Sequence, residues 1–383
     1  MIIIISKKKI LIITFTVLFI ILVFSIIKYN TTSTAFYYEE SSDVLNEYIP
    51  TSKTISNNNE VREVLKDLFQ KRSTAILCQD KELLEGFYDK NIKYSLWAFE
   101  HELKKMKYLR QWSDKQSIEF SKIDTVTNIR SIKEIGSKLR INLIGTTEYK
   151  YCYKGDTQEN EMRIGTYHSM DIEKRGEKWV IVKEWYTDPF ADSLNLSQVK
   201  SEEITKYILN QKPRELTTNQ HRLAAIDYMD KYCGAAAADN FKYNSEYRNY
   251  NSLGGDCANF ASQILHEGGK FRKTQSWNYD KSGATKAWIN AHGFKNYMIN
   301  SGRASKVAYG SYEQVQKAAY KLLPGDFVAY EKNGKVTHIS VVSGSDSKGY
   351  LLVNSHNTDR YRVPWDLGWS NKGIKFWLIH VHF

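Results

Sequence analysis

The chain has 383 residues, more than one hydrophobic core usually spans, so length alone argues for two globular units. With 42% hydrophobic residues, 13% aromatics and 5 Pro against 26 Tyr, a mainly disordered, collagen-like or low-complexity protein is excluded. The formal charge of +11 becomes +7 when Lys7, Lys8, Lys9 and Lys28 are set aside; this suits an anionic surface, and no basic cluster with interleaved aromatics favours nucleic acid.

Ile10 to Ile27 carries no charge over 18 residues, just long enough as a helix to cross a hydrocarbon layer. Its β-branched content is no obstacle, because in lipid a helix satisfies every backbone group internally. Three lysines precede it and Lys28 follows, so the positive-inside bias predicts a cytoplasmic N-terminus and an exported remainder. A cleaved signal peptide is the competing reading, with Ser33-Thr34-Ala35 as the nearest small-x-small site. Residues 1–28 are therefore read as an anchor or signal segment in the cell membrane, with the later domains extracytoplasmic, or secreted if it is cleaved.

Residues 29–59 lack an apolar period and read as a linker. In residues 60–190, Val61, Val64, Leu65 and Leu68, then Leu96, Phe99, Leu103 and Met106, recur at helical spacing and predict two amphipathic helices. The period then switches to two, at Leu139–Leu143, Tyr149–Tyr153, Met170–Ile172 and Trp179–Trp185, with a turn at Arg175-Gly176-Glu177. Helices followed by long antiparallel strands predict an α+β unit whose curved sheet wraps the helices. That order resembles the cone of the nuclear transport factor two-like superfamily, and no nucleophile–base pairing is visible in it. Residues 191–218, with Pro213 and a short helical piece at Ile204–Leu209, read as a second linker, and residues 219–383 as a second domain.

The sharpest chemistry lies in Gly254-Gly-Asp-Cys-Ala-Asn-Phe-Ala-Ser-Gln-Ile-Leu-His-Glu-Gly-Gly269. The two glycines predict a bend, Asp256 an N-cap, and Cys257 the first helical position, where unpaired N–H groups and the helix dipole favour thiolate and could stabilise an oxyanion. A lone cysteine is more often a small buried hydrophobe, and here partners decide. His338 begins the second strand of a hairpin built from Leu323–Tyr330, a turn at Lys332–Lys335, and Thr337–Gly344, so it can serve as base to a thiol. On the next strand Asn354 could orient that imidazole, giving a Cys–His–Asn order, while His356 on the same strand face is its rival.

These residues resemble a known family. Asp256-Cys-Ala-Asn-Phe-Ala-Ser-Gln263 with Gly268-Gly269, the opening His221–Tyr228, Pro324-Gly-Asp326, Thr337–Val342 and Ser355–Asp359 resemble, in order, the bacterial "Putative amidase domain" family, relatives of NlpC-type and CHAP-type wall hydrolases. The resemblance covers about 220–383 and implies a papain-like α+β fold, a Cys helix packed on an antiparallel sheet, and a thiol hydrolase cutting amide bonds in peptidoglycan or a related peptide, without cofactor. Ala258 stands where many relatives carry Thr. A non-catalytic wall-binding or partner-binding protein, or an acyl transferase using the same thioester, are the alternatives.

The remaining motifs point elsewhere. His380 and His382 have strand spacing for a metal face but no third ligand, and His266-Glu267 lacks the second His of a zincin helix, so no metal is expected. Trp277, Trp288, Trp365 and Trp369 could line a groove, although such density usually means core. Cys78, Cys152 and Cys233 form an odd set without an assignable bridge, and no C-x-x-C spacing exists for a zinc ribbon or a thioredoxin-type site.

Overall fold

The computed structural model describes residues 59–190, 200–214, 219–237, 242–370 and 373–383. The apolar segment at 10–27 and most of the first linker lie outside these residues, and no helix among the described ones is long and apolar enough to cross a membrane.

Helical spacing of Val61, Leu65, Leu68 and Ile76 produces α1 (Asn59–Cys78), which buries that face. A short α2 (Glu82–Glu85) follows, then α3 (Lys93–Gln116), which buries Phe99, Met106, Leu109 and Trp112 and stops where Ser117 turns left-handed at φ 58°. Four antiparallel strands come next: β1 (Ile118–Ile135), β2 (Lys138–Tyr153), β3 (Asn160–Arg175) and β4 (Lys178–Tyr186). Their inner residues, among them Ile123, Ile141, Tyr151, Met162 and Ile172, pack with the helices in one core. The segments 139–143 and 149–153 belong to the single strand β2.

After this come α4 (Glu202–Leu209), α5 (Gln220–Tyr232) and α6 (Cys257–Gln263), the last prolonged by a wider π turn over Ile264–Gly268. The short pair β5 (Tyr279–Asp280) and β6 (Gly283–Ala284), then α7 (Lys286–Ile289) and α8 (Ala291–Asn300), lead into β7 (Ala304–Gly310) and α9 (Tyr312–Ala319). The C-terminal part closes with β8 (Phe327–Lys332), β9 (Lys335–Ser345), β10 (Leu351–Ser355), β11 (Asp359–Pro364) and β12 (Ile374–Val381).

Strands from both parts join in one ten-stranded sheet, ordered β1-β2-β3-β11-β10-β9-β8-β12-β7, with β4 also on β3. One edge of β3 is shared: His168–Arg175 pair with β4, while Arg163, Ile164 and Gly165 pair with Tyr361, Arg360 and Asp359 of β11. Gly165 has to be glycine there, because a methyl group would overlap the Ala235 side chain. The main core cluster continues across the join, from α1 and β2 to Tyr312, Val328, Tyr350, Trp365 and Leu378, and the described residues from Asn59 onward belong to one compact unit. The stretch read as a second linker takes part in this core: Ile204 and Ile208 are buried, and so is Lys200, whose Nζ lies 2.8 Å from Asp366 Oδ2 and 2.5 Å from Gln116 Oε1.

Candidate functional site

Cys257 is the first residue of α6, and the polar residues of its motif are spent on holding that helix. Asn259 donates to the Arg248 carbonyl (3.0 Å) and Asp256 Oδ1 (2.9 Å) and accepts from Trp288 Nε1 (2.9 Å). Ser262 donates to the Trp288 carbonyl (2.9 Å) and accepts from Trp277 Nε1 (2.9 Å), and Gln263 accepts from Tyr228 (3.0 Å). With α6 buried along its length, each of these groups would cost stability if left unpaired. Gly255, at φ +121°, makes the bend before the helix, where a Cβ would collide with Asn357.

Asp256 occupies the N-cap position but does not cap the helix with its side chain. Its carboxylate instead accepts from the Tyr250 N–H (2.8 Å) and meets His356 Nδ1 (2.7 Å), so the expected capping role is corrected and the first-turn N–H groups stay clear of it. His356 is clamped: Nε2 lies 2.7 Å from the Tyr232 carbonyl, and the ring is sandwiched between Phe260 and Tyr243 at 3.7 and 3.8 Å. Tyr243 in turn donates to Asp359 (2.6 Å), which also accepts from the Ala235 N–H (2.8 Å) and from Tyr167 of β3 (3.1 Å). A continuous polar and aromatic chain therefore links β3, in the N-terminal part, to the residue before Cys257.

Asn354 is committed as well. Its Nδ2 donates to Asp230 (2.8 Å) and its Oδ1 accepts from the Arg362 N–H (2.8 Å), so neither Asn354 nor His356 contacts the His338 imidazole through a hydrogen bond. His338 starts no such bond itself: its ring lies 5.1 Å from Trp369 and 5.6 Å from Tyr330, and its buried Nε2 has no partner among the described residues. Burial, followed by the Arg360 charge, pushes its pKa down to about 3.

The structure brings Cys257 and β9 together without pairing the sulfur to the imidazole. Cys257 packs in a second core cluster with Val336, Ile339 and Val341, whereas Tyr330 and Trp369, against which His338 lies, pack with the larger one. The reason is a register shift: Tyr330 faces His338 but Glu331 faces Val336, leaving Thr337 as an extra residue. Such a bulge reverses the alternation, so that Val336 and Ile339, rather than Val336 and His338, share a face. Burial pushes the Cys257 thiol up to about 11, with the Ile339 backbone N–H pulling the other way. The helix start alone would favour thiolate, but desolvation outweighs it here.

The other sequence candidates are structural. His380 Nδ1 meets Asp326 Oδ2 (3.0 Å) and His382 Nδ1 meets the Gly302 carbonyl (2.9 Å), and no metal-holding group of His, Cys, Asp or Glu occurs among the described residues. Of the four tryptophans expected as a possible groove, Trp277, Trp288 and Trp365 are fully buried in the core, and Trp369 is half-buried against Tyr330 and His338. All four cysteines are free thiols.

A second concave site lies inside the N-terminal part, lined by Phe69, Arg72, Lys105, Thr125, Thr147, Thr166 and His168 among others. Glu184 holds Arg72 and accepts from His168 Nδ1 at 3.0 Å, and Thr166 Oγ1 lies 2.8 Å from His168 Nε2. The sequence did not reveal this network, whose members come from α1, β3 and β4. At about 30 Å³ the cavity has room for about two water molecules, far too little for a peptide or sugar.

Comparison with known proteins places residues 219–379 in a match to the family described as "Putative amidase domain". Two Bacillus subtilis (strain 168) proteins are similar over this part: uncharacterized protein YhbB, 30% identical over 161 residues, covering 38% of this chain and 43% of YhbB, and uncharacterized protein YjcM, 28% identical over 162 residues, covering 40% of this chain and 34% of YjcM. The chain thus spans less than half the length of these relatives. Among solved structures, a chain whose title begins Rd1NTF2 (17% identity, TM-score 0.20) covers 34% of this chain and 97% of its own. A hexachlorocyclohexane dehydrochlorinase (LinA) Type2 (12% identity, TM-score 0.22) covers 33% of this chain and 87% of its own. Scores this low carry no argument about activity.

Proposed function

We propose that residues 219–383 act as an extracytoplasmic cysteine amidase on peptidoglycan amide bonds, with Cys257 as nucleophile and His338 as base, held at the membrane by the apolar segment 10–27. The observation that carries this reading is the seating of Cys257 at the first turn of a fully supported buried helix, against the strand stretch that bears an imidazole with an unspent Nε2. The amidase-family match over the same residues supports it.

In the proposed cycle His338 takes the thiol proton, the thiolate attacks the amide carbonyl, and N–H groups of the α6 first turn receive the oxyanion. The imidazolium returns its proton to the leaving amine, and water, activated by the same base, hydrolyses the thioester. Cys257 and His338 are both 5% exposed, and both are held neutral at pH 7. The cycle therefore requires substrate binding to rearrange β9 at the Thr337 bulge, so that the imidazole leaves Trp369 and comes round to the face that carries Cys257. The same lack of a sulfur–imidazole hydrogen bond favours a second reading, a wall-binding protein without turnover.

The test is release of new amino groups from purified peptidoglycan. The wild-type chain should release them, and Cys257→Ala should lose several powers of ten in rate. Equal release by both would remove Cys257 from the mechanism, and no release by either would favour the binding reading.

A further inference from the structure

Three large aromatic side chains stand out of the surface on one flank of the N-terminal part: Tyr94 (54% exposed) and Trp97 (52%) on α3, and Trp185 (42%) on β4. Monomeric proteins rarely leave such rings together in water without a use for them. α3 and β4 are joined where Ser95 donates to the Ile181 carbonyl (2.5 Å), and Lys183 and Trp185 share the outer face of β4. Lysines belong to the same patch: Lys93 Nζ lies 4.5 Å over the Trp97 ring and Lys183 Nζ 5.7 Å over Tyr94. The Tyr94 and Trp97 rings are nearly perpendicular, at 84°. Perpendicular rings with ammonium groups over their faces offer no flat platform for a sugar. Amphipathic rings beside cations are what a headgroup layer accepts, the rings at the interface and the lysines toward phosphate.

The chain enters near this flank. Glu60, in the first turn of α1, bonds Lys174 (2.7 Å) and Trp179 (3.0 Å) at the β3–β4 hairpin, whose Arg175 pairs with Asp89, four residues before α3. Residues 28–58 then lead back to the apolar segment, a reach of at most about 100 Å, so a weak surface contact here would be intramolecular. The geometry points to docking of the Tyr94–Trp97–Trp185 face onto an anionic phospholipid surface. This rests on the reading that residues 10–27 insert in a bilayer.

All nine tryptophans lie at position 97 or beyond, so lipid quenching of tryptophan reports on the folded unit alone. The full chain is reconstituted in phosphatidylcholine vesicles with about 30% phosphatidylglycerol, carrying brominated acyl chains. Flotation with the vesicles reads insertion, and loss of tryptophan fluorescence reads docking. The wild type should float and be quenched; Trp97→Phe/Trp185→Phe should float and lose most of the quenching, and Lys93→Glu/Lys183→Glu should lose it too. A chain that floats with no quenching, or with the same quenching in the aromatic variant, overturns the docking alone. Failure to float overturns the anchor and the docking with it. Patch-dependent binding to wall glycan without lipid quenching reassigns the face.

Discussion

Replacing Lys200 with Met tests whether the two parts of the chain fold as one. Its ammonium is sealed in the join, bonded to Asp366 and Gln116 and lying 4.8 to 5.3 Å over the rings of Trp112, Tyr312 and Tyr350. Burial holds the Lys200 pKa below the usual value, and the Asp366 charge only partly restores it. Removing the cation strands Asp366, which is fully buried and keeps only the neutral donors Trp112 (3.1 Å) and Tyr350 (2.8 Å). Breaking a buried pair in this way costs about 3–5 kcal/mol. Unfolding entropy near 2.1 cal/mol/K per residue gives a unit of about 330 residues roughly 0.7 kcal/mol/K, so the expected fall in Tm is about 4–7 °C. If only the C-terminal part unfolded with this contact, the same cost would lower a separate transition by about 9–14 °C. Calorimetry of the full chain should show one transition shifted by the smaller amount, partly recovered in Lys200→Met/Asp366→Asn. Two transitions, or a shift under about 1 °C, would refute the shared core as an energetic unit.

Other consequences are smaller in scope. With its thiol near 11, resting Cys257 should react with iodoacetamide slowly at pH 7 and about tenfold faster per pH unit above it, so rapid labelling at pH 7 would contradict the buried neutral thiol. Burial raises the Asp346 pKa to about 6 against the hydrogen bonds it accepts from Tyr153 and neighbouring backbone. The folded state therefore holds this proton longer than the unfolded chain, and about 3 kcal/mol of stability should be lost as pH rises from about 4 to 6, a slope that Asp346→Asn should flatten in denaturant titrations. Glu102 runs the opposite way: burial would raise its pKa, but Lys105 and Arg72 hold it at about 2, so its contribution fades as pH falls from about 4.5 to 2, and Glu102→Gln should remove that loss. Tyr243→Phe takes one donor from buried Asp359 but keeps the stack on His356, and should cost about 1–3 kcal/mol in chemical denaturation.

Periodicity carried the helices, because the buried faces of α1 and α3 repeat within one segment, and Cys257 at a helix start followed from the Gly-Gly-Asp bend before it. β1 was less legible: many of its positions are half-exposed on both faces, so it shows little clean alternation. The break in alternation at Gly145-Thr146-Thr147 divided β2 on paper, although its pairing with β3 runs unbroken. The orientation of His338 could not be read either, since one extra residue at Thr337 reverses every face after it. Asp256, Tyr243 and His356 meet from three separated segments, and no local pattern announces a clamp of that kind. Lys200 looked like linker polarity because a lysine's burial depends on partners, Asp366 and Gln116, that are distant in sequence.

The most direct measurement is intact-protein mass spectrometry of the chain mixed with muropeptides and quenched in acid, followed by peptide mapping. The account predicts an acyl adduct on Cys257 in the wild-type chain, absent in Cys257→Ser and also in His338→Ala, which lacks the base that takes the thiol proton. Turnover without any adduct on Cys257, or an adduct carried by another residue, would contradict it.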